Sequence, residues 1–177
     1  MKYYYYISNM KLQEAQEKFI SAWGAFGTQW GINRTMAQIH ALLLVSESSL
    51  STEDIMKDLN ISRGNVNMNI RELISWGIVY KVLKVGERKE FFSAEKDIHK
   101  TAIQILKERR KRELGPVLNL LSELKDVEIN KEGAANFKNL IEDIHSFGTS
   151  TNKMLDKMIK ADEHWFTGSL MKFLIKK

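Results

Sequence analysis

Apolar residues recur at helical spacing along most of this chain and at strand spacing only once. Phe19, Trp23, Phe26 and Trp30 fall at i, i+4, i+7 and i+11, one continuous face, which predicts a first helix from about Ser8 to Trp30. Gly24, Gly27 and Gly31 line the neighbouring face. A glycine inside a helix costs about 1 kcal/mol relative to Ala, so this spacing predicts that another backbone approaches closely there. A second helix, about Asn33 to Ser46, presents Met36, Ile39, Leu42, Leu43 and Val45 on one side. His40 shares that side and reads as a partly buried histidine with its hydrogen bonds satisfied. Ser51 with Asp54 forms a capping box before a short helix, Thr52 to Leu59, which Asn60 closes. Ser62 caps the next helix, whose Val66, Ile70, Leu73 and Ile74 share a narrow sector and which Gly77 ends.

The period then shortens. Val79 to Val85 and Lys89 to Ser93 are rich in β-branched and aromatic residues around Gly86-Glu87, which predicts a hairpin. Val82 and Leu83 interrupt the alternation, so the pattern specifies the hairpin but not which side chains face inward. Helix returns near Asp97 and runs to about Lys125, with Pro116 marking a kink or restart. A further helix, about Lys131 to Lys160, sets Phe137, Leu140, Ile144, Phe147, Thr151, Met154 and Met158 in near-heptad order. An amphipathic piece, Glu163 to Ile175, follows, and the Tyr3 to Tyr6 run reads as a frayed or edge segment. The predicted fold class is mostly α with a small β-hairpin wing. A winged helix-turn-helix occupies residues 33–96, flanked by the helices of residues 8–32 and 97–177.

Composition narrows the chemistry. The 177 residues include no Cys, which excludes disulfide frameworks, thiolate zinc sites, iron–sulfur clusters and cysteine nucleophiles. The four histidines are too scattered to replace them, so neither a metal site nor a cofactor is expected. Phosphate-binding GxxxxGK[ST], HExxH and GxSxG motifs are all missing, and the chain reads as a non-enzyme. No run of 18 apolar residues or signal-peptide pattern occurs, so a soluble, cytoplasmic protein without a membrane partner is expected. The net charge is +5, and between Asn60 and Lys96 seven basic residues stand against four acidic ones. The excess charge therefore concentrates in one stretch.

That stretch also carries the readable chemistry. A short helix, a tight turn, a longer helix and a hairpin, preceded by a helix, match the winged helix-turn-helix in order and length. With Val66, Ile70 and Leu73 inward, the second helix points Gly64, Asn65, Asn67, Met68 and Arg71 outward. Asn pairs with adenine N6 and N7, Arg pairs with guanine O6 and N7, and Gly64 admits a phosphate or base edge. Glu72 on the rim is suited either to accept from cytosine N4 or to sit beside Arg71. The expected site on double-stranded DNA therefore comprises Ser62, Gly64 and Met68 together with Arg63, Asn65, Asn67 and Arg71, the last four reading the major groove. Arg34, Lys84, Arg88 and Lys89 are assigned to phosphates.

These residues also resemble a known family. SRGNVNMNIRELISWGIVYKVLKVGERKEFF, Ser62 to Phe92, is similar to the GbsR-like branch of the MarR family of transcriptional regulators. FISAWGAFGTQWGINRTMAQIHALLLVS, Phe19 to Ser46, and ILKERRKRELGPVLNLL, Ile105 to Leu121, resemble its opening helices and its post-wing helix. The resemblance implies a homodimer, joined by helices at both chain ends in a dimerisation region of residues 8–32 and 97–177, whose winged units grip neighbouring major grooves. It also implies regulation of a small set of operons, sometimes under a small organic effector. Some relatives are tied to choline and betaine metabolism, so the Phe19–Trp30 aromatic face has a reading as a cage for a quaternary ammonium ligand. A packed core or dimer seam is the plainer reading. For the basic run Lys107 to Arg112 the plainer reading is a solvated helix. The competing class is a winged-helix protein-interaction module with Met68 in the contact, and a weaker third is a DNA-binding architectural protein without sequence preference.

Overall fold

A computed structural model describes residues 10–29, 31–125 and 134–165. The Tyr3 to Tyr6 run, Trp30 and most of the Glu163 to Ile175 piece lie outside them. The chain divides into two compact units, residues 1–101 and 102–177.

The first unit contains α1 (Leu12–Gln29), α2 (Arg34–Val45), β1 (Leu50–Ser51), α3 (Thr52–Leu59), α4 (Arg63–Ser75), β2 (Val79–Val82) and β3 (Phe91–Ala94). Each helix begins where the sequence supplies a cap. Asn33 accepts from the backbone N–H groups of Thr35 and Met36 at the start of α2. Ser51 and Asp54 close a reciprocal capping box on α3, and Ser62 accepts from Asn65 N–H on α4. Between α3 and α4, Asn60 takes the left-handed conformation at φ 51° that turns the chain, and Gly77 at φ 71° performs the same turn after α4.

Ile39, Leu43, Ile55, Val66, Leu73, Ile78 and Val79 are fully buried, drawn from α2, α3, α4 and the sheet. At about 2 kcal/mol per buried aliphatic side chain, this cluster is the unit's main source of stability. The sheet has three antiparallel strands in the order β1-β3-β2, where the sequence indicated a two-stranded hairpin. β1 is only two residues long, Leu50 opposite Phe92 and Ser51 opposite Phe91, too short to leave an alternation pattern. β2 and β3 pair from Val79 with Ala94 to Val82 with Phe91, so the strands are shorter than the β-rich runs and residues 83–90 form the loop of the wing.

The glycine face of α1 is covered by α2. A Cβ built on Gly27 would come within 2.6 Å of the Ala37 Cβ, and one on Gly24 within 2.6 Å of Gln38 Cγ. Gly31 differs from the expectation. It has open space around it and a φ of +73°, so it serves the turn after α1 rather than a close approach.

α5 (Ile98–Arg109), begun by Asp97 accepting from the N–H groups of His99 and Lys100, leads into the second unit. There a π-helical turn, Arg110–Leu114, precedes α6 (Gly115–Leu124), and α7 (Ala134–Trp165) follows. Pro116 explains the turn. Its ring excludes the ordinary bond to the residue four back, and Gly115 N–H instead reaches Arg110 O, five back. α6 and α7 run antiparallel: Arg110 reaches Asn152 and Asp156, Leu118 lies over Gly148, and Lys125 Nζ lies 2.8 Å from His145 Nδ1. Arg110 thus leaves the solvated face expected of its basic run, whereas Arg112 pairs with Glu108 along the helix as its spacing indicated.

Candidate nucleic-acid interface

Burial of Val66, Asn69, Ile70 and Leu73 fixes the rotation of α4. Gly64, Asn67, Met68 and Arg71 are consequently exposed, and a Cβ on Gly64 would meet nothing. Met68, at 61% exposure, is an apolar side chain left in solvent on a helix whose other face is filled. Asn67 and Arg71, with Ile70, Ile74, Lys81, Glu90 and Phe92, line a cleft of about 210 Å³ between α4 and the sheet. α4 and the root of the wing therefore share one surface.

The other expected residues divide by what they already touch. Ser62 is the cap of α4. Arg63 donates to Glu53 Oε1 at 2.7 Å, a strut between α3 and α4 that holds the Glu53 carboxyl below its ordinary pKa. Asn65 is half-buried rather than outward. The buried Asn69 Nδ2 donates both to its carbonyl (2.8 Å) and to its Oδ1 (2.7 Å), which leaves the Asn65 amide N–H₂ as the group available. Glu72 accepts from Trp76 Nε1 at 3.0 Å, a position the sequence had offered to cytosine or to Arg71.

In the wing, Lys84 Nζ sits 3.9 Å from the centroid of the Phe91 ring and 3.4 Å from Ser49 O, folded back on its own sheet. Lys81 pairs with Glu90 at 2.5 Å across the strands. Arg88 and Lys89 are exposed in the loop, and Arg34 is exposed at the first turn of α2. Asp54 is held below the usual carboxylate range by the Ser51 backbone and hydroxyl hydrogen bonds, with Lys89 and Lys84 adding to the effect. Sequence reasoning did not single out the Asn69 contact, signalled only by its i, i+4 relation to Asn65, or the exposure of Leu83 and Val85 in the wing loop.

Behind this surface, Lys96 Nζ donates to the carbonyls of Leu43, Leu44 and Ser46, a cation at the C-terminal end of α2. His40 is buried, with its ring 6.3 Å from that of Trp23, and its Nε2 has no hydrogen-bond partner among the described residues. That departs from the satisfied, partly buried histidine expected. Burial first, and the Lys96 charge second, lower its pKa to about 4. Of the aromatic face, Trp23 is half-buried between Phe19 and Phe26, and Phe19 and Phe26 remain exposed.

The architecture agrees with a solved one. The chain is similar to a structure described as a transcriptional regulator, with a TM-score of 0.64 over 85% of this chain and 99% of that one, at 14% sequence identity. The fold is a winged helix with appended helices. No family model and no curated protein matches the sequence. Among the described residues no helix is long and apolar enough to cross a membrane, and no three acidic or histidine side chains gather where a metal would bind.

Proposed function

We propose that this protein is a sequence-specific DNA-binding transcriptional regulator that acts as a homodimer, of the GbsR-like branch of the MarR family, with a small organic effector as its input. The observation that carries the reading is the surface of α4. Gly64, Asn67, Met68 and Arg71 project together from a helix whose opposite side is locked into the core, with a wing bearing Arg88 and Lys89 beside it. Asn67 and Arg71 read base edges in the major groove, and Arg34, Arg88 and Lys89 hold phosphates. Arg63 and Ser62 set the pose of α4 on α3. Lys84 reaches a phosphate by leaving the Phe91 ring, at a cost of about 1 kcal/mol. A twofold dimer seeks a pseudo-palindrome with half-sites roughly 34 Å apart.

Selection of bound duplexes from random fragments tests the proposal. A recovered pseudo-palindrome, bound with an affinity that falls steeply as salt rises, supports it, and recovery of unrelated fragments bound alike contradicts it. Exposed Met68, Leu83 and Val85 favour a second reading, a protein-interaction module, which predicts no salt-dependent duplex binding.

A further inference from the structure

Among the described residues, one side of α7 stays exposed although its composition is apolar. Phe137, Leu140, Ile144, Phe147, Met154 and Met158 are each between 42% and 75% exposed and follow alternate steps of three and four residues, with Thr151 in the remaining position. The buried side of α7 is different: Gly148 lies against Leu118 of α6, and the buried Ile141 and Ile159 project at nearly the same angle as Gly148. Seen down the helix axis, the exposed stripe lies about a quarter turn away from the α6 side. Because α6 runs antiparallel to α7, the same periodicity sets exposed Val117 and Leu120 on the same side of the helix pair. The two helices thus present one apolar plate, about 32 Å long on α7 and widened to roughly 20 Å only along the 10 residues, about 15 Å, of α6. Its projected area is on the order of 450 Å², to which side-chain relief adds in the direction of the roughly 800 Å² per partner of a stable interface.

We infer that this plate is covered by the same plate of a second copy, with the two α7 helices antiparallel and Ile144 opposite Met154. This rests on the homodimer of the proposed function and specifies its surface and register. The heptad decides the direction. Antiparallel pairing in this register sets Phe147 against Thr151, large against small, and Leu140 against Met158. Parallel pairing stacks Phe147 on Phe147 and Thr151 on Thr151, leaving one crowded layer and one polar layer. Charge agrees: exposed Asp143 and Lys157 flank the stripe on the side away from α6. Antiparallel pairing brings each Asp143 within about half a turn of Lys157 on the other copy, twice by symmetry, whereas a parallel pair sets these same-flank residues on opposite sides of the seam, where they do not meet. Four helices, two from each copy, then close around the plate.

The absence of cysteine from the sequence makes the test direct. Ile144→Cys, Met154→Cys and the double variant are treated with a short bis-thiol crosslinker. The register predicts covalent dimer from the double variant, and from an equal mixture of the two single variants, but none from either single variant alone. In that register, like positions lie about 15 Å apart along the axis, beyond a short link. Crosslinking of each single variant with itself means a parallel pair and overturns the inference. So does absence of any crosslink in a protein that sediments as a monomer, the result expected if another segment of the chain covers the plate. Phe147→Glu supplies an independent arm. Dimer dissociation rises by about a hundredfold or more, while the circular dichroism of the separated chains keeps its helical signal. An unchanged dimer overturns the inference. Duplex binding by the same samples is scored separately, so loss of the register with DNA binding intact removes this inference alone. The register found without DNA binding removes the regulator reading instead.

Discussion

The two units of this chain solve the burial problem in opposite ways. In the winged unit the apolar residues of three helices and a sheet converge, and seven side chains are sealed from solvent. In the helical unit no described apolar side chain is sealed to that degree: Leu121, Ile141 and Ile159 keep 5–7% exposure, and six large apolar side chains of α7 stay exposed. A helix pair has two faces to fill and only one neighbour. The first unit therefore holds a closed core of its own, and the second leaves an apolar face that the proposed second copy would cover.

The sharpest way to break this contrast is a truncation in each unit. Leu43→Ala, in the sealed core, should lower unfolding stability by about 2 to 5 kcal/mol in denaturant titrations. Leu140→Ala, 55% exposed, should cost under about 1 kcal/mol in dilute protein and should act mainly by weakening any concentration dependence of the melting temperature. Equal losses at the two positions would remove the distinction.

The next effect is on pH. His40 carries a folded pKa of about 4 against 6.5 when exposed, so the unfolded chain takes up the proton first. Its contribution is thus fully present above about pH 6.5 and is lost as pH falls toward 4, by at most about 3 kcal/mol. Asp54, whose folded pKa is lowered, loses its contribution only below its ordinary value of 3.8, so the two windows separate. His40→Leu should flatten the stability profile between pH 6.5 and 4, whatever it does to the plateau. A profile that keeps its slope in the variant would assign the effect elsewhere.

Smaller effects sharpen the packing within the winged unit. Gly27→Ala places a methyl 2.6 Å from the Ala37 Cβ and should destabilise by about 1 to 2 kcal/mol despite the better helix propensity, as read by thermal unfolding. Lys96→Met removes three hydrogen bonds from the end of α2 and should cost about 1 kcal/mol. It should also raise the His40 pKa, visible as a shift of the acid window, because the lysine charge contributes to that lowering.

Much of this was legible in the sequence because caps are local. Asn33, Ser51 with Asp54, Asn60, Ser62 and Gly77 each mark an end that the structure places within a residue. The exposed positions Gly64, Asn67, Met68 and Arg71 followed from helical period alone. What escaped depends on contacts between distant residues. β1 exists only because β3 pairs with it, Arg63 is held by Glu53 ten positions away, and Lys84 turns to an aromatic ring across the hairpin. The half-burial of Asn65 and the missing partner of His40 Nε2 likewise come from packing, which residue type and spacing do not reveal.

The central claim is that the outer side of α4 reads base edges. Titration of the selected duplex with Arg71→Ala, at one fixed salt concentration and beside the unaltered protein, tests it most directly. The account predicts a loss of about 1 to 3 kcal/mol, roughly five- to a hundredfold in affinity, with preference relaxed at one base position. Unchanged affinity and unchanged preference would contradict it.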